Sequence, residues 1–151
     1  MRLSTLITVL AAAGIVLAAA AAWAAGGQWQ ISNTGTGGTA ATATQTAPAS
    51  AAAQGLQIRL RSLDASAGGS AAGGDTLQVL NGVTVIYSMP LSWAANTTVT
   101  CCGHADFDLR ATAGSSLTVQ FKTGTGSTAE GINASGDLVQ TGYPYLDSTS
   151  N

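Results

Sequence analysis

The residues whose types and spacing could support chemistry lie in one short segment, Cys101-Cys102-Gly103-His104. Two thiolates and an imidazole, with Asp106 close by, are ligands that zinc or copper accepts. Successive strand residues point to opposite faces, so both sulfurs reach one ion only if the chain bends there. No second cluster completes a ligand set, and the sequence therefore predicts no metal site and no cofactor.

The adjacent cysteines are better explained by redox chemistry. In an exported protein, neighbouring thiols tend to oxidise. We therefore expect Cys101 and Cys102 to form disulfides, either a vicinal bridge with one another or bridges between subunits. The remaining alternative is one buried thiol beside one exposed thiol.

Catalytic motifs are missing from the sequence. His104 is the single histidine, so a Ser-His-Asp or Cys-His mechanism would have to use it, and no G-x-S-x-G motif is present. Asp106 and Asp108 share the polar face of one strand, but a calcium site needs six or more oxygens. We expect a solvated face there, with Asp108 near Arg110, and we predict that the chain is not an enzyme.

Two triplets match the N-glycosylation acceptor pattern. They begin at Asn96 (Asn-Thr-Thr) and at Asn133 (Asn-Ala-Ser). Both are candidate modification sites if the host glycosylates its surface proteins, in which case the chain is a glycoprotein.

The charge of the chain limits its partners. Only 8% of the residues are charged, and the formal net charge is −2. A nucleic-acid partner would require a basic face, so none is expected. Low charge also removes the repulsion that keeps subunits apart, which favours a homo-oligomer.

The elements around these residues begin with an uncharged apolar segment from Leu3 to Ala25. As a helix it would span about 34 Å, which is enough to cross a bilayer core. One interpretation is a cleavable secretory signal with a small-x-small site near Ala22-Trp23-Ala24. The other is a retained helix that inserts into a membrane or packs against sister helices. The large apolar residues of this helix are Leu3, Leu6, Ile7, Val9, Leu10, Ile15, Val16 and Leu17.

Residues 26–54 are rich in Gly, Thr, Ala and Ser and show no apolar periodicity. Such a stretch buries too little surface to offset its ordering entropy. It is therefore predicted to be a flexible spacer between the helix and the following domain.

Residues 55–151 carry the patterns of β-strands. Leu56, Ile58 and Leu60 alternate with polar residues, which is typical of a half-buried strand. Asn81-Gly82 between apolar runs predicts a two-residue hairpin turn that pairs Leu80 with Val83.

A second hairpin is predicted around Gly114, which a three-residue loop would place in a left-handed conformation. This loop pairs Leu109 with Leu117 and Phe107 with Val119. The turn signals recur every eight to twelve residues, as in an antiparallel sandwich. The predicted fold is mainly β: an N-terminal hydrophobic α-helix (1–25), the spacer (26–54) and a small antiparallel β-sandwich, Ig-like or jelly-roll-like (55–151).

The segment Leu3-Ser4-Thr5-Leu6-Ile7-Thr8-Val9-Leu10, its alanine-rich continuation to Ala25 and the following β domain resemble an archaeal-type type IV pilin. The resemblance implies that the helices bundle into a filament core while the β domains coat the outside. The chain differs from pilins in two respects. No basic-plus-glycine processing site precedes the helix, and Thr5 or Thr8 stands near the position where bacterial pilins carry an acidic residue.

Together these features predict an exported structural subunit at a cell or virion surface. It would assemble through residues 3–25 into a pilus-like filament or a virion or membrane layer, with the β domain facing outward. The alternative is a secreted or periplasmic sandwich module, released by signal cleavage, that binds a host surface or glycans.

Overall fold

The computed structural model describes residues 27–103, 107–123 and 128–141. The predicted helix of residues 1–25, with all eight of its large apolar residues, lies outside this described part, as do His104 and Asp106. Within the described ranges, no helix is long and apolar enough to span a bilayer.

The described chain is built almost entirely from β-strands. Its one helical element is a single turn that ends at Gly55, whose backbone adopts a left-handed conformation. The elements are β1 (Trp29–Thr36), β2 (Thr42–Gln45), α1 (Ala51–Gln54), β3 (Leu56–Gly69), β4 (Gly73–Asn81), β5 (Thr84–Trp93), β6 (Thr97–Cys101), β7 (Leu109–Arg110), β8 (Leu117–Phe121) and β9 (Thr128–Gln140).

The strands form two sheets in which every pairing is antiparallel. The first sheet has five strands in the order β1-β9-β3-β6, with the short β7 also paired to β3. The second has four strands in the order β2-β8-β4-β5. The prediction of a mainly β protein with an antiparallel sandwich is confirmed.

Alternation along the strands determines what the two sheets bury between them. In β8, Leu117, Val119 and Phe121 are 0%, 0% and 2% exposed, while the intervening residues lie on the outer face. The inner residues of both sheets form one hydrophobic cluster. Its fully buried large side chains are Phe121, Ile58, Leu60, Leu63, Leu77, Leu117, Val79 and Val119.

The prediction of a flexible spacer over residues 26–54 is wrong for most of that range. β1 pairs with β9 over its whole length, and β2 pairs with β8. Few side chains anchor these strands, chiefly the buried Trp29, Ala41 and Ala43. Backbone hydrogen bonding to distant strands orders this polar segment, so the β domain begins well before residue 55.

The predicted hairpin at Asn81-Gly82 forms, but its register differs. The turn residues are Gly82 and Val83, so Asn81 pairs with Thr84 and Leu80 pairs with Val85. β5 continues through Pro90, which has no backbone N–H to donate. The strand tolerates proline because β5 lies at the edge of the sheet, where one side of its backbone is not paired with another described strand.

The predicted hairpin of Leu109 with Leu117 is wrong. Leu109 pairs with Leu60 in the first sheet, whereas Leu117 pairs with residues of β2 and β4 in the second. The intervening turn crosses between the sheets. Gly114 does adopt the expected positive φ, +80°, where a Cβ would lie 2.6 Å from the Ala52 Cβ.

Candidate functional site

The outer face of the first sheet carries a buried ion pair. Arg59 of β3 lies directly opposite Asp137 of β9. Its Nε and Nη2 donate hydrogen bonds of 2.7 and 2.5 Å to the two carboxylate oxygens. Arg59 is only 5% exposed, so this bidentate pair is a fixed part of the sheet surface.

A β-bulge places a second guanidinium beside this pair. The register between β3 and β9 shifts between Leu60 and Ser62, so the backbone of Arg61 is not paired with any residue of β9. The Arg61 Nη1 lies 3.9 Å from Asp137 Oδ2, and the side chain is 46% exposed. That distance is too long for a hydrogen bond, so Arg61 contacts Asp137 through charge alone while nearly half of its side chain is exposed.

The third described arginine joins the same patch. Arg110 of β7 is paired with Arg59 across the ladder, and it donates two hydrogen bonds of 2.9 Å to the carboxylate of Asp108. These hydrogen bonds hold the pKa of Asp108 below its usual value and raise the pKa of Arg110. The contact expected from the sequence between Asp108 and Arg110 therefore forms.

We call the depression beside these residues the arginine hollow. Its volume is about 600 Å³. Trp29 is buried beneath it, and the indole N–H donates to the carbonyl of Asp137 at 3.2 Å. A Cβ on Gly136 would lie 1.8 Å from the Arg59 carbonyl oxygen, so only glycine fits there. The lining residues are Gln28, Trp29, Gln30, Arg61, Ser135, Gly136 and Asp137.

A second hollow of about 780 Å³ lies on the same face of the sheet, and we call it the disulfide hollow. Cys101, the last residue of β6, forms a disulfide with the next residue, Cys102. The described part contains no free cysteine. Cys102 has a positive φ of 77°. The rest of the lining is mostly small and polar: Ser32, Asn33, Thr34, Asp64, Ala65, Ser66, Thr100, Gly103, Gly131, Ile132 and Asn133.

Two acidic side chains are buried between the sheets, away from both hollows. Glu130 of β9 is 3% exposed, and Asp75 of β4 is 7% exposed. Asp75 accepts hydrogen bonds from the backbone N–H and hydroxyl of Thr123, and Glu130 accepts one from the N–H of Ala41. Burial raises the pKa of Glu130, and a hydrogen bond with the neighbouring Asp75 raises it further.

The candidate glycosylation sites lie at different places. Asn96 is an exposed turn residue with a φ of 56°. Asn133 lies in the middle of β9 on the outer face, where its side-chain oxygen accepts a hydrogen bond from Gln30 Nε2 at 3.0 Å. Whether either is modified stays a prediction.

The structure brings together residues that the sequence did not link. The alternation around Arg59 and Arg61 indicated an outward-facing position, but their partner Asp137 is 78 positions from Arg59. Across the described ranges, no three His, Cys, Asp or Glu side chains are grouped as metal ligands.

Solved structures of other proteins include a fold similar to that of this chain. No family model matches the chain, and no curated protein matches it. The chain is similar to the coat protein of tobacco streak virus, at 12% sequence identity and a TM-score of 0.31. The similarity covers 83% of this chain and 96% of that chain.

The resemblance to type IV pilins is wrong. In the described part, helix is limited to the four residues of α1, and the rest is a two-sheet β domain. The residues that suggested a pilin, Leu3 to Ala25, lie outside the described part.

Proposed function

We propose that this protein is a non-enzymatic structural subunit at a cell or virion surface, and that its β domain associates with copies of itself. The observation that carries the proposal is the uncharged outer face of the second sheet. Charged residues normally make up about a quarter or more of the surface of a soluble domain. An extended face without them is physically suited to contact between identical subunits.

The outward residues of all four strands are uncharged, and the nearest described charge is the exposed Lys122, directly after β8 ends. Threonine and glutamine side chains occupy β2 and β8, where the hydroxyls of Thr44 and Thr118 lie 3.0 Å apart. On β4 and β5 the outward residues include the half-buried Leu80 and the exposed Val85. The outward residues are Thr42, Thr44, Gln78, Leu80, Val85, Ser88, Thr118 and Gln120.

The edge of this sheet reinforces the argument. β5 pairs only with β4 within the described residues, so one side of its backbone is unpaired. No Asp, Glu, Lys, Arg or His occurs from Thr76 to Gly103, although charged side chains are a common protection of edge strands. Val83 is 94% exposed and Val85 is 45% exposed.

The strand order also fits a capsid-like subunit. β1 contacts β2, β9 contacts β8, β3 contacts β4 and β6 contacts β5 across the core. Together with the orders β1-β9-β3-β6 and β2-β8-β4-β5, this is the arrangement of a jelly roll. Jelly rolls form viral capsid domains and also lectin domains, so the fold supports the proposal without deciding it.

Export and association through residues 3–25, with lipid or with sister helices, complete the proposal. They rest on the apolar sequence of that segment alone. The proposed surface location of the protein also rests on the apolar sequence of residues 3–25.

The association is tested with Val85→Lys in the full chain, measured by sedimentation velocity over a range of concentrations. We expect the native chain to form oligomers and the variant to dissociate at least about tenfold more readily, because lysine would be buried without a partner. Ala53→Lys, which adds the same charge on exposed α1, is the matched control and should still assemble. A native chain that stays monomeric at all concentrations would contradict the proposal.

The second candidate function is a secreted or periplasmic binding module. The two hollows on the first sheet favour this function, since they provide concave surface on the side of the domain opposite the uncharged face. Sequencing the N-terminus of the native protein distinguishes the two functions. A mature chain that starts near Ala25 supports the released module, and a chain that retains Leu3 supports the anchored subunit.

A further inference from the structure

We propose that the arginine hollow binds the carboxylate of an acidic sugar, with the Arg61 guanidinium as its main contact. This proposal goes beyond self-association, because it concerns the first sheet and not the uncharged face of the second. The two can therefore fail independently.

The charge balance of the patch favours an anion. Among the described residues of this patch, three guanidinium groups lie beside two carboxylates, those of Asp137 and Asp108. Both carboxylates already accept two hydrogen bonds from one arginine, Arg59 and Arg110 respectively. The positive charge left over is that of Arg61.

The position of Arg61 makes that charge available. The bulge leaves Arg61 out of the backbone pairing between β3 and β9. The distance from Arg61 Nη1 to Asp137 Oδ2 is 3.9 Å. A planar guanidinium with unpaired donors matches a carboxylate through two parallel hydrogen bonds. The buried Arg59–Asp137 pair beneath it is rigid, so Asp137 is held by Arg59 and does not turn fully toward Arg61.

The remaining lining fits a ligand rich in hydroxyl groups. Gln28 and Gln30 are exposed at the rim, and Ser135 lies between them and the bulge. The amide nitrogen of Gln30 donates to Asn133, which leaves its carbonyl oxygen as an acceptor for a hydroxyl. The indole of Trp29 is buried and its N–H is already used by Asp137, so the hollow offers polar contacts and no exposed aromatic platform.

Size and charge also restrict the class of ligand. A volume of about 600 Å³ lies within the range of small-molecule sites, and it accommodates one or two sugar rings. A nucleic-acid strand would require a row of cations along the groove. Within the described part, the disulfide hollow is lined by Asp64 and by no arginine or lysine, whereas the lining of the arginine hollow includes the Arg61 guanidinium beside Asp137. Of these two hollows, the arginine hollow is the one that offers a cation to an acidic ligand.

The test uses the full chain and digalacturonic acid as the probe, with the neutral galactose disaccharide as its counterpart. Binding is measured by isothermal titration calorimetry and by chemical-shift changes of the Gln28 and Gln30 side-chain amides. We expect digalacturonic acid to bind at least about tenfold more tightly than the neutral sugar. Arg61→Gln should lose at least about tenfold in affinity, and Arg61→Lys should recover only part of it, because lysine lacks the planar pair of donors.

Lys122→Gln removes the same charge from an exposed position just after β8, away from the first sheet, and should bind as the native chain does. Thermal unfolding of Arg61→Gln confirms that the variant is folded. The proposal is overturned if the neutral disaccharide binds equally well, or if Arg61→Gln binds as tightly as the native chain. It is also overturned if inorganic phosphate binds at the hollow as tightly as digalacturonic acid, since the site would then be selective for a simple anion and not for a sugar acid.

Discussion

The Arg59–Asp137 pair shows how a single contact couples two strands. Its guanidinium and carboxylate are 7% and 24% exposed, so losing the carboxylate would remove two charge-assisted hydrogen bonds from a buried guanidinium. Such losses cost about 3–5 kcal/mol when the pair is fully buried. The partly exposed carboxylate places this pair at the lower end of that range.

We therefore predict that Asp137→Asn lowers the free energy of unfolding by roughly 3 kcal/mol, as measured by urea denaturation. Asp108→Asn is the matched control, because Asp108 makes the same kind of bidentate contact with its side chain 62% exposed. An exposed pair contributes less than about 1 kcal/mol. Equal losses in the two variants would show that burial does not determine the strength of the Arg59–Asp137 contact.

The buried Glu130 carboxyl makes stability depend on pH. Its pKa in the folded protein is raised above the usual 4.5, chiefly by burial and also by Asp75. The folded state therefore holds the proton more tightly than the unfolded state does. This contribution is complete below the usual pKa, and it is lost as the pH rises through the raised value.

We predict that Glu130→Gln raises the thermal midpoint at neutral pH, by about 2–4 °C for each kcal/mol gained. The gain should shrink as the pH falls toward 4.5, because the native carboxyl is then protonated and the amide offers no advantage. Thermal unfolding followed by circular dichroism at several pH values measures both effects. A gain that is constant with pH would exclude titration of Glu130 as its cause.

The disulfide illustrates why sequence separation matters for stability. A cross-link stabilises mainly by closing a loop in the unfolded chain, and the bridge between Cys101 and Cys102 closes none. We predict that the double variant Cys101→Ser, Cys102→Ser unfolds within about 1 kcal/mol of the native chain in urea. A loss of several kcal/mol would mean that the bridge also holds β6 in place.

Among the elements, β9 depends on glycine where β1 and β3 approach it. A Cβ on Gly136 would meet backbone atoms of Arg59 and the ring of Trp29, neither of which can move independently. At Gly131, in the same strand, the Cβ would meet only the hydroxyl of Ser66, at 2.9 Å. A side-chain hydroxyl can rotate away, so the two positions should respond differently.

We predict that Gly136→Ala destabilises the domain by roughly 3 kcal/mol or more, whereas Gly131→Ala costs less than about 1 kcal/mol. Thermal unfolding of both variants measures the difference. A tolerated Gly136→Ala would contradict the close packing of β1, β9 and β3.

The whole molecule has two faces of different chemistry. The second sheet is uncharged on its outer face, whereas the first carries all three described arginines. Salt screens charged contacts but has little effect on uncharged ones. We predict that raising the salt from 0.05 to about 0.5 M leaves the oligomeric state unchanged but weakens acidic-sugar binding. Sedimentation and calorimetry at both salt concentrations test this, and dissociation at high salt would assign the interface to the charged face.

Much of the local structure could be read from the sequence. Alternation in β3 and β8 indicated which side chains are buried, and Ile58, Leu60, Leu117, Val119 and Phe121 are buried. The alternation of apolar and polar residues depends only on which face of a strand is buried, so it can be recognised for each strand separately. It therefore predicted strands, faces and an antiparallel sandwich without knowledge of their neighbours.

Partner choice could not be read in the same way. β1 bonds to a strand about a hundred residues away, and β7 and β8 look like a hairpin but belong to different sheets. The bulge at Arg61 and the pairing of Arg59 with Asp137 follow from the β3–β9 register. Local alternation cannot specify that register, because backbone hydrogen bonds are the same for every sequence and the free energy that selects among pairings comes from the shared core. Packing of the whole chain therefore placed the arginines together and left the second sheet uncharged on its outer side.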